Sequence, residues 1–301
     1  MKQTRFVVIA ACLVIQAVKL PLAAADKCLI LGTLHPPFSA VAKDIEQKLG
    51  DDFVVERRSV TQTTSSFTLE NYIRTVSPQI VVLMDNCAIA RYREFQASLP
   101  DSVPVLPSVC LMGVMINVVT SGIKNTVGIS YELPINTVVT SFKQSTGHST
   151  KRVGVPYRRF FKKSITVDSA LCAAEGVEVI SYELPNRLEN PAEELSNALR
   201  YLVKDRQVDA VWVPNDNALL RQYLLFSSWR MLREWEIPTF VGVKTLMNPA
   251  IGLGSFALLP NQESFAGQTV ELIQKCRANG WTHPKTGVVL PVETVVLKSK
   301  D

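Results

Sequence analysis

The sequence predicts an α/β protein of two lobes, each a mainly parallel sheet covered by helices, and three observations carry that expectation. After residue 26, short apolar runs alternate with stretches of helical periodicity, the order that builds a parallel sheet with helices on its faces. Runs such as "VDAVWVP" at 208–214 are too continuously apolar for a half-exposed strand and fit one buried on both faces. The alternation restarts after the polar stretch "KQSTGHSTK" at 143–151 with no flexible linker, as when a chain crosses between two lobes. With 301 residues, 47% hydrophobic and 20% charged, the chain is long and apolar enough for two cores.

The first series begins with the strand "CLILGTL". Phe38, Val41, Ala42, Ile45 and Leu49 then share one helix face, and Gly50 stops that helix. "DFVVERRSV" resumes as a strand, Leu69, Tyr72, Ile73 and Val76 repeat the helical spacing, and "QIVVLMD" is the third strand. "VPVLPSV" and "VMINVVT" read as further strands. In the second series, strand "RVGVPY" leads to a helix from about Ser164 to Glu175 closed by Gly176, then to strand "VEVISY". A further helix has Asn190 as its cap, Pro191 in its first turn, Glu193 as a capping-box partner, and a stripe of Leu195, Leu199, Leu202 and Val203. "VDAVWVP", "IPTFVGV" and "GLGSFAL" are strands. Phe265, Leu272, Ile273 and Cys276 mark a helix ended by Gly280, and the tail "GVVLPVETVVL" is extended.

The N-terminus reads differently. Lys2 and Arg5 precede an apolar run from Phe6 to Val18, and Ala23-Ala24-Ala25 supplies a small-residue cleavage site before Asp26, so residues 1–25 are expected to be a cleaved secretory leader. Lys19 and Pro21 break the run before the ~20 apolar residues that a spanning helix needs. The mature chain is therefore expected in the periplasm. Lys2, Arg5 and Lys19 account for three of the five net positive charges, which leaves +2 and no charge argument for nucleic-acid binding. The basic run Arg158-Arg159 with Lys162-Lys163 reads as a solvated face.

Cleavage leaves Cys28, Cys87, Cys110, Cys172 and Cys276, an odd number with no CxxC pair, against a metal cage. Cys87 and Cys110 each follow an apolar run, and a bridge between them or two buried thiols are both open.

In open parallel sheets, ligands bind outside the carboxyl ends of the strands. Polar groups recur there in both halves: Thr33 and His35, Asp85 and Asn86, Tyr157, Asn215, Asp216 and Asn217, and Lys244. Asp and Asn at such places are also helix caps, so each residue taken alone reads equally as a cap. His148 and His283 lie in polar loops and are expected to be exposed. There is no HExxH, GxSxG or GxxxxGK[ST], so no catalytic residues, metal or cofactor are expected.

Together "LHPPFSAVAKDIEQKL", "NTVGISYELP" (125–134), "KRVGVPY", "VDAVWVPNDNALL" and "IPTFVGVKTLMNPAIGLGSFALLPNQESFAGQ" resemble the extracytoplasmic substrate-binding proteins of ABC transporters. The likeness is to those with the type I periplasmic-binding fold, in the branch that includes binders of tryptophan and other aromatic amino acids, and it spans most of the mature chain. It implies two Rossmann-like lobes joined by three crossovers, near "NTVGISYELP", "VKTLMNPA" and "HPKTGVVL". The implied division is lobe 1 at 26–130 plus about 246–282 and lobe 2 at 131–245 plus about 283–301. The resemblance also implies that Asp216 and Asn217 face the ligand, the carboxylate meeting an amino group, with Tyr157 on the same wall.

The chain departs from that family's pattern twice. A Thr-Pro-type turn is replaced by Asp85-Asn86-Cys87, and an Asp-Pro turn by Ser108-Val109-Cys110, which brings Ser108 into the candidate set. The implied function is that of a monomer closing on a small polar or zwitterionic molecule and docking on a membrane permease, with no nucleic-acid partner. A ligand sensor of the same fold that docks on a signalling receptor or kinase stays open as the alternative.

Overall fold

The computed structural model describes residues 24–298 except 34 and 37, so nearly all of the expected leader lies outside the described residues. In chain order the strands are β1 (Asp26–Gly32), β2 (Phe53–Ser59), β3 (Ile80–Met84), β4 (Ser108–Leu111), β5 (Thr126–Ile129), β6 (Arg152–Arg158), β7 (Glu178–Leu184), β8 (Ala210–Val213), β9 (Thr239–Val241), β10 (Phe256–Pro260), β11 (Gly287–Val289) and β12 (Thr294–Lys298). The helices are α1 (Phe38–Leu49), α2 (Ser66–Val76), α3 (Asn86–Ser98), α4 (Ile116–Val119), α5 (Ile135–Thr146), α6 (Lys162–Ala174), α7 (Pro191–Arg200), α8 (Gln222–Phe226), α9 (Arg230–Glu234) and α10 (Gln262–Ala278).

The strands form two sheets of six, ordered β11-β5-β4-β3-β1-β2 and β12-β10-β9-β8-β6-β7. Every pairing is parallel except that of β10 with β12. The central strands are apolar throughout because both faces are covered: Leu29, Leu31, Val81, Val82 and Leu83 have no exposed surface. Each such side chain contributes about 1.5–3 kcal/mol relative to an exposed one. One apolar cluster lies on each face of each sheet, which makes two independent cores.

The chain passes between sheets three times. Residues 130–134 lead from the end of β5 to α5, Asn261 leads from the end of β10 to α10, and residues 290–293 lead from the end of β11 to β12. Thr294 pairs with Pro260, the last residue of β10. All three passages thus join the carboxyl edge of one sheet to the carboxyl edge of the other, and their shortness keeps the two edges facing each other. In the second passage Asn261 caps α10, its Oδ1 accepting from Glu263 N at 3.0 Å. Phe265, Ala266, Ile273 and Cys276 of α10 pack with Val41 and Ile45 of α1 against the first sheet.

Several expectations are corrected. Residues 246–260 belong with the second sheet, because β10 pairs with β9 and β12, so the second crossover is at Asn261 rather than near 243–250. β11 belongs with the first sheet, parallel to β5, so 283–289 is not part of lobe 2. "VMINVVT" contains the short helix α4, entered through Met115 at φ 51°, and the strand position beside β4 is taken by β5. Within "VPVLPSV" the strand begins only at Ser108, after Pro104 and Pro107, which cannot donate to a ladder. At α7 it is Glu194 rather than Glu193 that reaches back, its Oε1 accepting from Glu189 N and Asn190 N, both at 2.8 Å.

The five cysteines of the described residues are free thiols, which decides against a Cys87–Cys110 bridge. Burial pushes the Cys110 thiol up to about 12. No helix among the described residues is long and apolar enough to cross a membrane.

Candidate functional site

At the carboxyl edge of the first sheet, two candidate side chains are held by the protein itself. Asp85 follows β3 and caps α3, its Oδ1 accepting from Ala88 N and its Oδ2 from Thr33 N, both at 2.8 Å. The carboxylate therefore ties the end of β1 to the start of α3, and it does so from a backbone at φ 89°, a conformation that costs a non-glycine residue of order 1–3 kcal/mol. Asn86 clasps the β4–α4 loop: its Oδ1 accepts from Val114 N at 2.8 Å and its Nδ2 donates to Val114 O at 3.1 Å. A Cβ on Gly113 would sit 2.7 Å from that Oδ1, so only glycine permits the clasp.

This leaves Thr33 and His35 on the first lobe. Thr33 Oγ1 is buried and has no hydrogen-bond partner among the described residues, while its amide is held by Asp85. His35 is exposed.

Ser108 is at the other end of the sheet. It is the first residue of β4, fully buried, donating from Oγ to Thr126 Oγ1 at 2.9 Å, and its carbonyl lies 2.9 Å from His283 Nε2. It is a packing residue, and its place in the candidate set is withdrawn. His283, expected to be exposed, is buried against it, and burial lowers its pKa below the ordinary histidine value.

On the second lobe Asp216 is buried, its side chain only 1% exposed, and engaged on both oxygens. Arg158, at the end of β6, donates from Nη2 to Oδ1 and from Nε to Oδ2, each at 2.6 Å, and Ala218 N donates to Oδ1 at 2.9 Å. Arg158 in turn donates from Nη1 to Asn186 O at 2.7 Å and lies 4.6 Å over the Phe160 ring. The expected meeting of Asp216 with a ligand amino group is corrected: the carboxylate is occupied by a bidentate pair. The sequence pattern puts Arg158 on a solvated basic face, whereas in the fold it organises this rim. Its signal in the sequence was its position, one residue beyond Tyr157 at the end of a strand.

Of the rest of that basic run, Arg159 and Lys162 pair with Glu183 at 2.8 and 3.1 Å while staying mostly exposed, as the sequence pattern predicts. Tyr157 is buried in the second lobe's core, its hydroxyl 3.5 Å from Glu183 Oε2. Asn215 is half-buried and Asn217 and Lys244 are exposed, and none of the three side chains hydrogen-bonds to a described residue. The two edges thus present Thr33 and His35 on one side and Asn215, Asn217 and Lys244 on the other.

Between the lobes, the first crossover carries a carboxyl group that the sequence reading missed. Glu132 accepts from Met115 N at 2.8 Å, and burial together with the negative charge of Asp168 pushes its pKa up to about 7. Asp168 on α6 is itself raised to about 6 by burial. Val114 and Met115 of the first lobe's β4–α4 loop pack against the second lobe's core, so the lobes touch here. No group of three His, Cys, Asp or Glu among the described residues is arranged to hold a metal ion.

No family model and no curated protein matches the sequence. Solved structures do match in fold. The ligand-free, open form of a substrate-binding protein with adhesive properties from Clostridium difficile superposes with a TM-score of 0.65 at 14% identity, covering 91% of this chain and 92% of that one. An arabinose-binding protein from Geobacillus stearothermophilus gives 0.59 at 11% identity over 91% and 97%. An ABC domain in complex with L-Trp from Streptococcus pneumoniae gives 0.54 at 16% identity over 91% and 92%. Transcription regulators are among the other matches. Two six-stranded, mostly parallel sheets with helices on both faces, matched over nine-tenths of the chain, give this protein the type I periplasmic-binding fold of those substrate-binding proteins.

Proposed function

We propose that this protein is an extracytoplasmic solute-binding protein of an ABC transporter. In this reading it loses its leader, closes on one small polar or zwitterionic, amino acid-like molecule between its lobes, and hands it to a membrane permease. The observation that carries the reading is the position of the three crossovers, all joining carboxyl edge to carboxyl edge. That arrangement makes a cleft whose two walls are the edges where open parallel sheets hold ligands.

Closure needs a ligand that gains contacts in the closed state, since only differential affinity shifts the equilibrium. A molecule gripped by both edges meets that condition. Lys244 and the amides of Asn215 and Asn217 suit a carboxylate, and charge-assisted hydrogen bonds are the stronger kind. Thr33 Oγ1, buried without a described partner, is an acceptor for an ammonium group. Asp216 and Asp85 contribute one step removed, by fixing Arg158 and the end of β1. No bond is made or broken, and no cofactor takes part.

The test is mass spectrometry of small molecules released on gentle unfolding of the protein purified from its own host, followed by thermal melts with amino acids and with sugars. The expected result is one zwitterion that also raises the melting temperature. A sugar in its place refutes the ligand class, and no released molecule together with no shift for any candidate refutes solute binding.

A further inference from the structure

A second space lies at the opposite end of the second sheet. Ile237, Pro238 and Thr239 enter β9, and Gly254, Ser255 and Phe256 enter β10, and between these amino ends is a cavity of about 890 Å³. Its volume falls within the roughly 300–1,000 Å³ of small-molecule sites. The lining is mixed: Phe142, Ile237 and Met247 give it an apolar side, Thr146, Gly254 and Ser255 a polar one, and the rim carries Arg233, Lys298, His148 and Glu236. The ring of Phe142 packs tilted against Phe240 at 4.9 Å and edge-on to Phe256 at 5.3 Å, which fixes one wall.

The rim is built around Arg233. Gly252 sits at φ 60°, a conformation that favours glycine, and the Arg233 guanidinium lies across it, Nη1 being 2.8 Å from where a Cβ would stand. On the same helix Arg230 pairs with Glu234 at 3.0 Å, whereas no described carboxylate pairs with Arg233. A second cavity of about 460 Å³, lined by Phe226 and Trp229, continues on the other side of Arg233, Gly252 and Leu253. With Arg233 and Lys298 against Glu236, the rim carries a net positive charge at neutral pH.

We infer that this cavity is a second ligand site, for an amphipathic anion: an aromatic or aliphatic body against Phe142, Ile237 and Met247 and a carboxylate on Arg233. It is separate from the inter-lobe cleft, being set at the amino ends of strands whose carboxyl ends face that cleft. It therefore stands or falls independently of the transport reading. The short helical turn Lys244–Met247 joins the two regions, with Lys244 at the cleft edge and Met247 in the cavity wall.

The probe is 3-phenylpropionate, compared with its neutral amide, titrated into the full mature protein while backbone amide resonances are followed. The expected result is saturable binding with the largest shifts at Thr239, Gly252 and Ser255, and a carboxylate preference of about tenfold over the amide. Arg233→Gln, at an exposed position, is expected to leave the melting temperature unchanged and to erase that preference. If Arg233→Gln does not fold, Lys298→Gln serves in its place and is expected to reduce the preference. Shifts centred elsewhere, absence of saturation, or an undiminished preference in the variant would overturn the assignment.

Discussion

Replacing Asp216 with alanine separates its two readings, as a ligand group and as the anchor of the second lobe's rim. The carboxylate is 1% exposed and takes both Nε and Nη2 of Arg158, whose own side chain is 18% exposed. Removing one partner of a buried ion pair costs about 3–5 kcal/mol, because the other charge is left without compensation. Arg158 has a partial route to water, which favours the lower end, near 3 kcal/mol. Loss of the bond to Ala218 N adds about 1 kcal/mol. A total of roughly 4 kcal/mol in a chain of this size corresponds to a melting temperature lower by about 8–16 °C.

The assay is a double-mutant cycle on the unliganded protein, with Asp216→Ala, Arg158→Met and the pair melted side by side. The double variant is expected to be more stable than Asp216→Ala alone, since removing both buried charges is close to neutral. If Asp216→Ala melts within about 1 °C of the parent while a ligand no longer stabilises it, the carboxylate belongs to the ligand and the anchoring argument is wrong.

Thr33→Val removes a buried hydroxyl without a described partner. The unliganded protein is expected to keep its stability or gain up to about 1 kcal/mol, with ligand affinity falling about tenfold by calorimetry; a lower stability with affinity retained would contradict both. Glu132 is raised to about 7, so the folded state holds its proton more tightly than the unfolded chain, and its contribution is full below about pH 4.5 and lost as pH rises through 7. Glu132→Gln keeps an acceptor for Met115 N, and is expected to flatten that decline and to stabilise the protein at pH 8 by about 2 kcal/mol, read from urea melts across pH. Gly32→Ala places a Cβ 2.7 Å from Met84 O and 2.9 Å from Met84 Cβ, so β1 must move from β3 beside Thr33 and Asp85. A loss of about 1–3 kcal/mol is expected in denaturant melts, and no loss would mean that the strands part more easily than their packing implies.

The strands were legible because burial on both faces leaves a mark in the residues themselves: "VVLM" and "AVWV" have no polar position that points to water. The failures have physical causes. "VMINVVT" is rich in β-branched residues, yet its chain turns at Met115 into α4, where Thr120 Oγ1 donates to Ile116 O, and the sheet position goes to β5. The stripe of α10 announced a helix but not the sheet it covers, and that omission moved the lobe boundary. In the site, strand-end polar residues were found by type, and Asp85, Asn86 and Asp216 are at the rim. Their partners were not, because Arg158 meets Asp216 only through the adjacency of β6 and β8, and Glu132 meets Asp168 only across a crossover.

The final strand has a consequence for how the molecule is made. β12 completes the second sheet by pairing antiparallel with β10, while β11, only a few residues earlier, completes the first. The first sheet therefore lacks its edge strand until residues 287–289 have been synthesised and the second until 294–298 have, and neither lobe can be obtained as an autonomous fragment by cutting at a single point. A nascent chain stalled before residue 287 would leave β5 and β10 both without an edge partner, the kind of open edge that invites pairing with another chain.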